Sequence, residues 1–344
     1  MTSGVPREVL AAYDLERAHL TPIDIGLINQ TYEVDHEGTR YVLQRLHAIF
    51  GGEVCLDLDA IAAHVALSAV VTPRLVRTRE GAPFVTAEGG VFRVITFIAG
   101  RTITSVEEPR HAFAAARLAS RFHAALTDLD HTFHFTRAGV HDTAAHLARL
   151  DRWRSDGATK PDHDLNAPIA EAILAHARSL EPLPMLPVHI VHGDLKISNV
   201  RFDDALDHAT ALLDLDTLGH GTMAFELGDA LRSWSHKGGE SAGGSRVDHD
   251  IVRAAVRGYA EGGFALTPDE RAAIVLGLET IATELAARFC VDAWEDAYFG
   301  WDSTRFASRR DHDRARACAQ LDLARSVRET RGALDTIVQN AFSK

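Results

Sequence analysis

Two short apolar runs, each ending in an acidic residue, constrain this chain more than any other feature. Val188-His189-Ile190-Val191 leads directly into His192-Gly193-Asp194-Leu195-Lys196-Ile197-Ser198-Asn199. About 20 residues further on, Ala211-Leu212-Leu213 leads into Asp214-Leu215-Asp216. Short, aliphatic runs bounded by turn residues read as buried strands. We expect Val188–Val191 and Ala211–Leu215 to form one strand pair, which would bring both carboxylates to the same edge. An edge carrying two carboxylates and an asparagine oxygen suits a hard divalent cation, which prefers oxygen ligands. Lys196 adds a positive charge beside it. Phe225 to Ala230 follows, with Asp229 placed to open or cap a helix.

Around this edge the chain divides in character. Up to Gly100 it reads mostly as strands: Tyr32–Val34 and Tyr41–Leu43 around the turn His36-Glu37-Gly38, then Leu75–Val76, then a hairpin of Pro83–Val85 and Val91–Ile98 around Glu88-Gly89-Gly90. One Ala- and Val-rich helix, Ala60–Val70, interrupts them. Beyond Gly100 helical periodicity dominates. Phe113, Ala116, Ala119, Phe122 and Leu126 share a face, as do Ile169, Ile173, Ala177 and Leu180. Further helices are predicted over 248–262, 268–290 and 307–330, the second started by Thr267-Pro268. Gly238–Ser245 is a glycine-rich loop. The expected fold class is α+β, with a small β-rich lobe over 1–97 and a larger, mainly helical lobe over 98–344.

Composition excludes several functions. With 36 Lys and Arg against 48 Asp and Glu, the formal charge is -12, so the basic footprint of a nucleic-acid binder is missing and an anionic membrane surface is disfavoured. The most apolar helical stretch, Ala272–Phe289, is broken by Glu279, Glu284 and Arg288 and does not read as a membrane span. Cys55, Cys290 and Cys318 show no zinc spacing and read as reduced, buried thiols of a cytoplasmic protein. No histidine metal site is expected, and His123 reads as a satisfied structural histidine.

The Asp194-to-Asn199 spacing matches the kinase catalytic loop H-x-D-x-x-x-x-N, and Asp214 stands where kinases place their metal-binding aspartate. HGDLKISNVRFD and LLDLDTLGHGTMAFELGDALR together resemble the aminoglycoside phosphotransferase superfamily of protein-kinase-like small-molecule kinases. Within it the resemblance is closest to the N-acetylhexosamine 1-kinase-like group, through Gly26-Leu27-Ile28-Asn29-Gln30-Thr31-Tyr32, Tyr41–Leu46, and Arg288-Phe289 through Tyr298-Phe299. Three departures stand out. The phosphate loop has one glycine, Leu27 replaces an expected polar residue, and the loop reads His-Gly-Asp rather than that group's expected His-Asn-Asp.

The resemblance implies ATP and Mg2+, with Asp194 as general base, Lys196 meeting the transferring phosphoryl group, and Asn199 and Asp214 as metal ligands. It places Gly26, Asn29 and Thr31 over the phosphates, Arg45 on the α- and β-phosphates, and Thr96–Ile98 against adenine. Asp229 would hold the catalytic loop through backbone N–H groups. Asp57 and Asp59 are candidate acidic partners of Arg45, or a charged helix start. Asp216 would bind metal or acceptor, or brace its own loop; Arg288, Asp292 and Asp296 would meet acceptor hydroxyls, or form a solvated helix face. Trp294, Tyr298 and Trp301 are core, or a platform for a ring.

The expected function is transfer of the γ-phosphoryl group of ATP to a sugar hydroxyl, the anomeric hydroxyl of an N-acetylhexosamine foremost. An aminoglycoside or choline-like acceptor is the alternative, with Asp292-Ala293-Trp294-Glu295-Asp296 holding its cation. A non-catalytic nucleotide-binding protein and a metal-dependent hydrolase are the readings from other classes. The enzyme is expected to be a monomer or homodimer with small-molecule partners only.

Overall fold

The first strand enters on the edge of the antiparallel sheet of the N-terminal lobe. A computed structural model describes residues 4–23, 29–136, 139–156, 159–236, 241 and 243–343. The sheet contains β1 (His19–Ile23), β2 (Gln30–His36), β3 (Thr39–Arg45), β4 (Leu75–Val76), β5 (Val85–Ala87) and β6 (Gly90–Thr96). Its order is β1-β2-β3-β6-β4, with β5 also paired to β6. Helix α1 (Arg7–Ala12) covers one face, where Val9, Val34, Leu43, Phe92 and Val94 form a core. The other face carries Thr31, Gln44 and Arg93, which sit opposite one another across β2, β3 and β6. Alternation along each strand separates the two sets. Helix α2 (Val54–Val65) follows β3, starting earlier than the sequence suggests and ending in a 3-10 turn at Ala66–Ser68.

The link from β6 to the helical half passes through Gly100. Here Arg101 and Phe202 exchange both backbone hydrogen bonds. Gly100 has φ +118°, and a Cβ there would lie 2.2 Å from the Phe202 carbonyl oxygen, so only glycine fits the crossing. The expected lobe division at 97/98 falls in this link.

The helical half contains α3 (Pro109–Ala125), α4 (Thr143–Asp156), α5 (His163–Ala177), α6 (Met223–Trp234), α7 (His249–Gly262), α8 (Pro268–Glu295), α9 (Arg309–Glu329) and α10 (Arg331–Ala341). A capping box, Thr267 with Glu270, starts α8. The two glutamates that interrupt its apolar pattern are fully buried and paired: Glu279 with His176, Arg328 and Arg331, and Glu284 with Thr143, His141 and Arg288. They bind α8 to its neighbours. Among the described residues no helix is long and apolar enough to cross a membrane.

Two expectations are corrected. Val188–Val191 and Ala211–Leu215 do not pair with each other. Strand β7 (His189–Val191) pairs with β10 (Gly219–Gly221), and β9 (Ala209–Leu212) pairs with β8 (Val200–Phe202). The Ala211 run pairs back across the nearer turn to β8, and β7 reaches past it to β10. Cys55 and Cys290 are buried, but Cys318 is exposed on α9. Of the glycine-rich loop, residues 238–240 and 242 lie outside the described residues.

Candidate active site

The segment between β7 and β8 presents Asp194 in a network of its own making. Lys196 Nζ donates to Asp194 Oδ2 at 2.6 Å, and Asn199 Nδ2 donates to the Asp194 carbonyl at 2.9 Å and to Oδ2 at 3.2 Å. Burial opposes the charge on Asp194, but Lys196 beside it holds the carboxyl below its ordinary range. The group is therefore an anion at neutral pH. Since its amide nitrogen is committed to Asp194, Asn199 has its side-chain oxygen left to coordinate.

Packing beneath the loop sets its shape. Gly193 has φ +77°, and a Cβ there would lie 2.4 Å from the Thr217 carbonyl oxygen. The His-Gly-Asp spelling thus answers a local backbone demand. Below it, Glu226 of α6 accepts the N–H groups of His192 (2.9 Å) and Gly193 (3.0 Å) and contacts His123 Nε2 at 3.0 Å. His123 also bonds Tyr259 through Nδ1 at 2.8 Å, so it is the satisfied structural histidine expected. The loop-holding role expected of Asp229 belongs to Glu226, three positions earlier on α6, which accepts the loop's amides; Asp229 instead pairs with Arg232. Trp234 Nε1 and Ser233 Oγ secure Leu195 and Ile197 from the same helix.

Asp214 follows β9 in a left-handed conformation, φ +58°. Burial and the neighbouring Asp216 push its carboxyl up to about 6. Asp194 lies close enough to raise it further, while Lys196 lowers it. Such surplus negative charge among oxygen donors is what a divalent cation relieves, so Asn199 and Asp214 fit magnesium. Asp216 does something else. It pairs with Arg93 at 2.6 Å, both side chains being 1% exposed, and accepts from Asn29 Nδ2 at 2.8 Å. Gln44 Oε1 accepts from Arg93 Nε and a terminal nitrogen. Asp216 therefore braces the small lobe and does not face an acceptor.

Arg45 is separated from this group. It shares the face of Leu43 and Phe92, where its guanidinium donates to the Gly89 carbonyl and to Gln30. Strand alternation gives the cleft face to Gln44 and Arg93 instead. This corrects the assignment of Arg45 to the phosphates. Neither acidic candidate meets it: Asp59 pairs with Arg77, and Asp57 with His131 and His134. Thr31 lies on the cleft face beside Gln44. Thr96 exchanges hydrogen bonds with Arg74 through its N–H and hydroxyl, and Ile98 is half-buried in the interlobe link. Gly26 lies outside the described residues.

Residues 19–262 match the family described as "APH: Phosphotransferase enzyme family". The chain belongs to this phosphotransferase family. A curated homoserine kinase of Zymomonas mobilis is 22% identical over 265 residues, 75% of this chain and 76% of that protein. Two solved structures share the fold: a microcompartment-associated aminopropanol kinase (TM-score 0.64, 17% identity, 96% of this chain and 98% of that one), and an amicoumacin kinase in complex with AMP-PNP, Ca2+ and Ami (TM-score 0.60, 15% identity, 92% and 91%). The chain is a small-molecule kinase of this family, with the kinase-like arrangement of a small antiparallel sheet lobe and a larger helical lobe.

A second feature of the phosphotransferase is a cavity of about 470 Å³ lined by Ile49, His146, Arg149, Arg288, Tyr298 and Phe299 among others. Its carboxylates are occupied. Asp292 accepts the N–H groups of Ala297, Tyr298 and Phe299, which corrects its assignment to the acceptor: it caps the turn after α8. Glu295 holds Arg149 and Trp153; Asp296, outside the cavity lining, holds Arg309 and Arg310. Arg288 makes a long 3.5 Å contact to Glu284 and flanks the Phe299 ring. Trp294 is core, stacked on Trp153, whereas Tyr298 is exposed at the cavity and Trp301 is half-buried. Sequence reasoning missed Gln44, Arg93 and Glu226. Arg93 had a signal, a lone charge inside the apolar run Val91-Phe92-Arg93-Val94-Ile95; Glu226 had none beyond its helix.

Proposed function

We propose that this phosphotransferase transfers the γ-phosphoryl group of ATP to a hydroxyl of an uncharged sugar, foremost the anomeric hydroxyl of an N-acetylhexosamine. Asp194 accepts the proton of that hydroxyl as its oxygen bonds to phosphorus and the bond to the β-phosphate oxygen breaks, releasing ADP. Asn199 Oδ1 and Asp214 would hold Mg2+, which supplies charge neutralisation when bound. Lys196, already 2.6 Å from Asp194, is placed to meet the incoming phosphoryl oxygens. Asn29 and Thr31 flank the phosphates, and Thr96–Ile98 the adenine.

The observation that carries the choice of acceptor is the state of the cavity's acids. The two carboxylates that line the cavity are both engaged within the protein: Glu295 by Arg149 and Trp153, and Asp292 by the backbone N–H groups of Ala297, Tyr298 and Phe299. A cationic amino alcohol needs a carboxylate whose oxygens are free to meet it; a neutral polyol does not. Arg288 and the Tyr298-Phe299 edge offer donors and an apolar floor instead, and the volume lies within the ordinary range for small-molecule sites.

The test is ADP release from Mg-ATP against free sugars, amino alcohols and aminoglycosides. The expected result is turnover on N-acetylhexosamines that disappears when the anomeric hydroxyl is blocked. Turnover on amino alcohols alone overturns the acceptor assignment. Asp194→Asn is expected to remove nearly all turnover, of the order of 10²–10⁴-fold, and to leave ATP affinity intact; retained turnover rejects Asp194 as base.

A further inference from the structure

Behind the cleft, Asp57 of α2 meets two imidazoles from the segment that follows α3. His131 Nε2 lies 2.9 Å and His134 Nδ1 3.0 Å from Asp57 Oδ1. One candidate ligand atom from each of the three residues lies within 4.8 Å of the other two. The sequence suggested no histidine metal site, because the third donor is 74 positions from His131 in the chain.

The carboxylate is held in place independently of the imidazoles. Asp57 Oδ1 accepts the His134 N–H and Oδ2 accepts the Phe135 N–H, each at 2.9 Å. The His131 ring stands edge-on to Phe133 at 5.0 Å, and Phe133 packs in the same way on His220 of β10 at 5.1 Å. Two of the three donors are thus positioned by packing and backbone contacts. His131 and Asp57 are nearly buried, while the His134 side chain is 51% exposed, which leaves an open side for an ion and a water ligand.

Two imidazole nitrogens and one carboxylate oxygen make a donor set that zinc and its neighbours take, usually with a water in the fourth position. Ligands about 2.05 Å from a tetrahedral zinc are about 3.3 Å apart. The contacts of 2.9 and 3.0 Å therefore need to open by only about 0.4 Å. Magnesium, which prefers oxygen throughout, is a poor match.

We propose that Asp57, His131 and His134 form a zinc-class metal site that clamps α2 to the helical lobe. Asp57 belongs to the small lobe, and both histidines follow α3 in the larger one. Helix α2 also packs against the 3-10 turn Leu215–Thr217 that carries Asp216. An ion at this site therefore fixes α2 beside the turn whose Asp216 pairs with Arg93 of the small lobe. The site is distinct from the Asn199–Asp214 pair in position and in donor chemistry.

The test uses the full chain without an affinity tag, stripped of metal and free of nucleotide. Zinc is titrated by calorimetry, and cobalt(II) is followed by its visible absorption. The expected result is one ion per chain and a rise in the thermal midpoint with zinc. His134→Ala, at a half-exposed position, is expected to weaken zinc binding at least about tenfold and to abolish the thermal shift. His131→Gln provides a second, independent loss should His134→Ala alter folding. A wild-type chain that takes up no zinc, or variants that bind zinc as tightly as wild type, overturns the proposal and leaves Asp57 as a hydrogen-bond anchor for its loop.

Discussion

Replacing Glu226 by Gln tests how the catalytic loop is held. The Glu226 carboxylate is 4% exposed and accepts from three donors, the N–H groups of His192 and Gly193 and the His123 ring. Hydrogen bonds to a charged group contribute about 1.5–3 kcal/mol each, and a buried donor left without a partner costs about 1–3 kcal/mol. Glutamine keeps one acceptor oxygen. Its amide nitrogen faces an N–H, so one buried donor is orphaned and the others lose charge assistance. A loss of about 3 kcal/mol follows, roughly a hundredfold in the folding equilibrium. The pH dependence supplies an internal check. Burial opposes ionisation, but His123 and the Gly193 N–H hold the folded carboxyl below its ordinary value. Its contribution is thus fully present above the unfolded pKa and is lost as pH falls through the folded one. The gap between wild type and Glu226→Gln should therefore narrow in acid. Urea unfolding across pH measures both quantities, and steady-state kinetics should show a fall in kcat larger than any change in KM for ATP, because Gly193 precedes Asp194. A stability loss below about 1 kcal/mol with unchanged kcat refutes the reasoning.

Asp214, pushed up to about 6, couples metal binding to pH. Apparent Mg2+ affinity should fall about tenfold per pH unit below that value, where protons compete for the carboxylate; a flat Mg2+ dependence from about pH 5 to pH 8 contradicts this. Because burial raises this pKa, the metal-free protein should lose stability as pH rises from the unfolded value through about 6, and added Mg2+ should restore it. Arg93 and Asp216 form a fully buried pair, so Arg93→Met or Asp216→Asn alone should cost about 3–5 kcal/mol, and the double variant less than the sum. Additive urea midpoints would show that the two side chains do not act together.

The catalytic edge was legible in the chain because it is local. Asp194, Lys196 and Asn199 lie within six residues, and Asp214 follows the next aliphatic run, so strand periodicity and spacing are enough to gather them. Helices over 248–262, 268–290 and 307–330 were legible for the same reason; Thr267-Pro268 announces the start of α8. Strand pairing was not. Apolar runs at 188–191 and 211–215 specify strands without naming their partners, and β10 (Gly219-His220-Gly221) and β8 (Val200-Arg201-Phe202) carry no continuous apolar run to mark them.

What only the tertiary structure decided is how side chains far apart in the chain divide their charges. Arg45 and Gln44 differ by one position, yet the strand pleat sends one onto Gly89 and the other to Arg93 and so to Asp216. Asp292 looks free in sequence, but the turn after α8 directs three backbone N–H groups at it. Asp57 reads as a helix-start charge until α3 and its following loop bring His131 and His134 to it. A residue's type and spacing state which interactions it is capable of. Its partner depends on the face it occupies and on the element packed against that face, and burial then makes that single pairing obligatory.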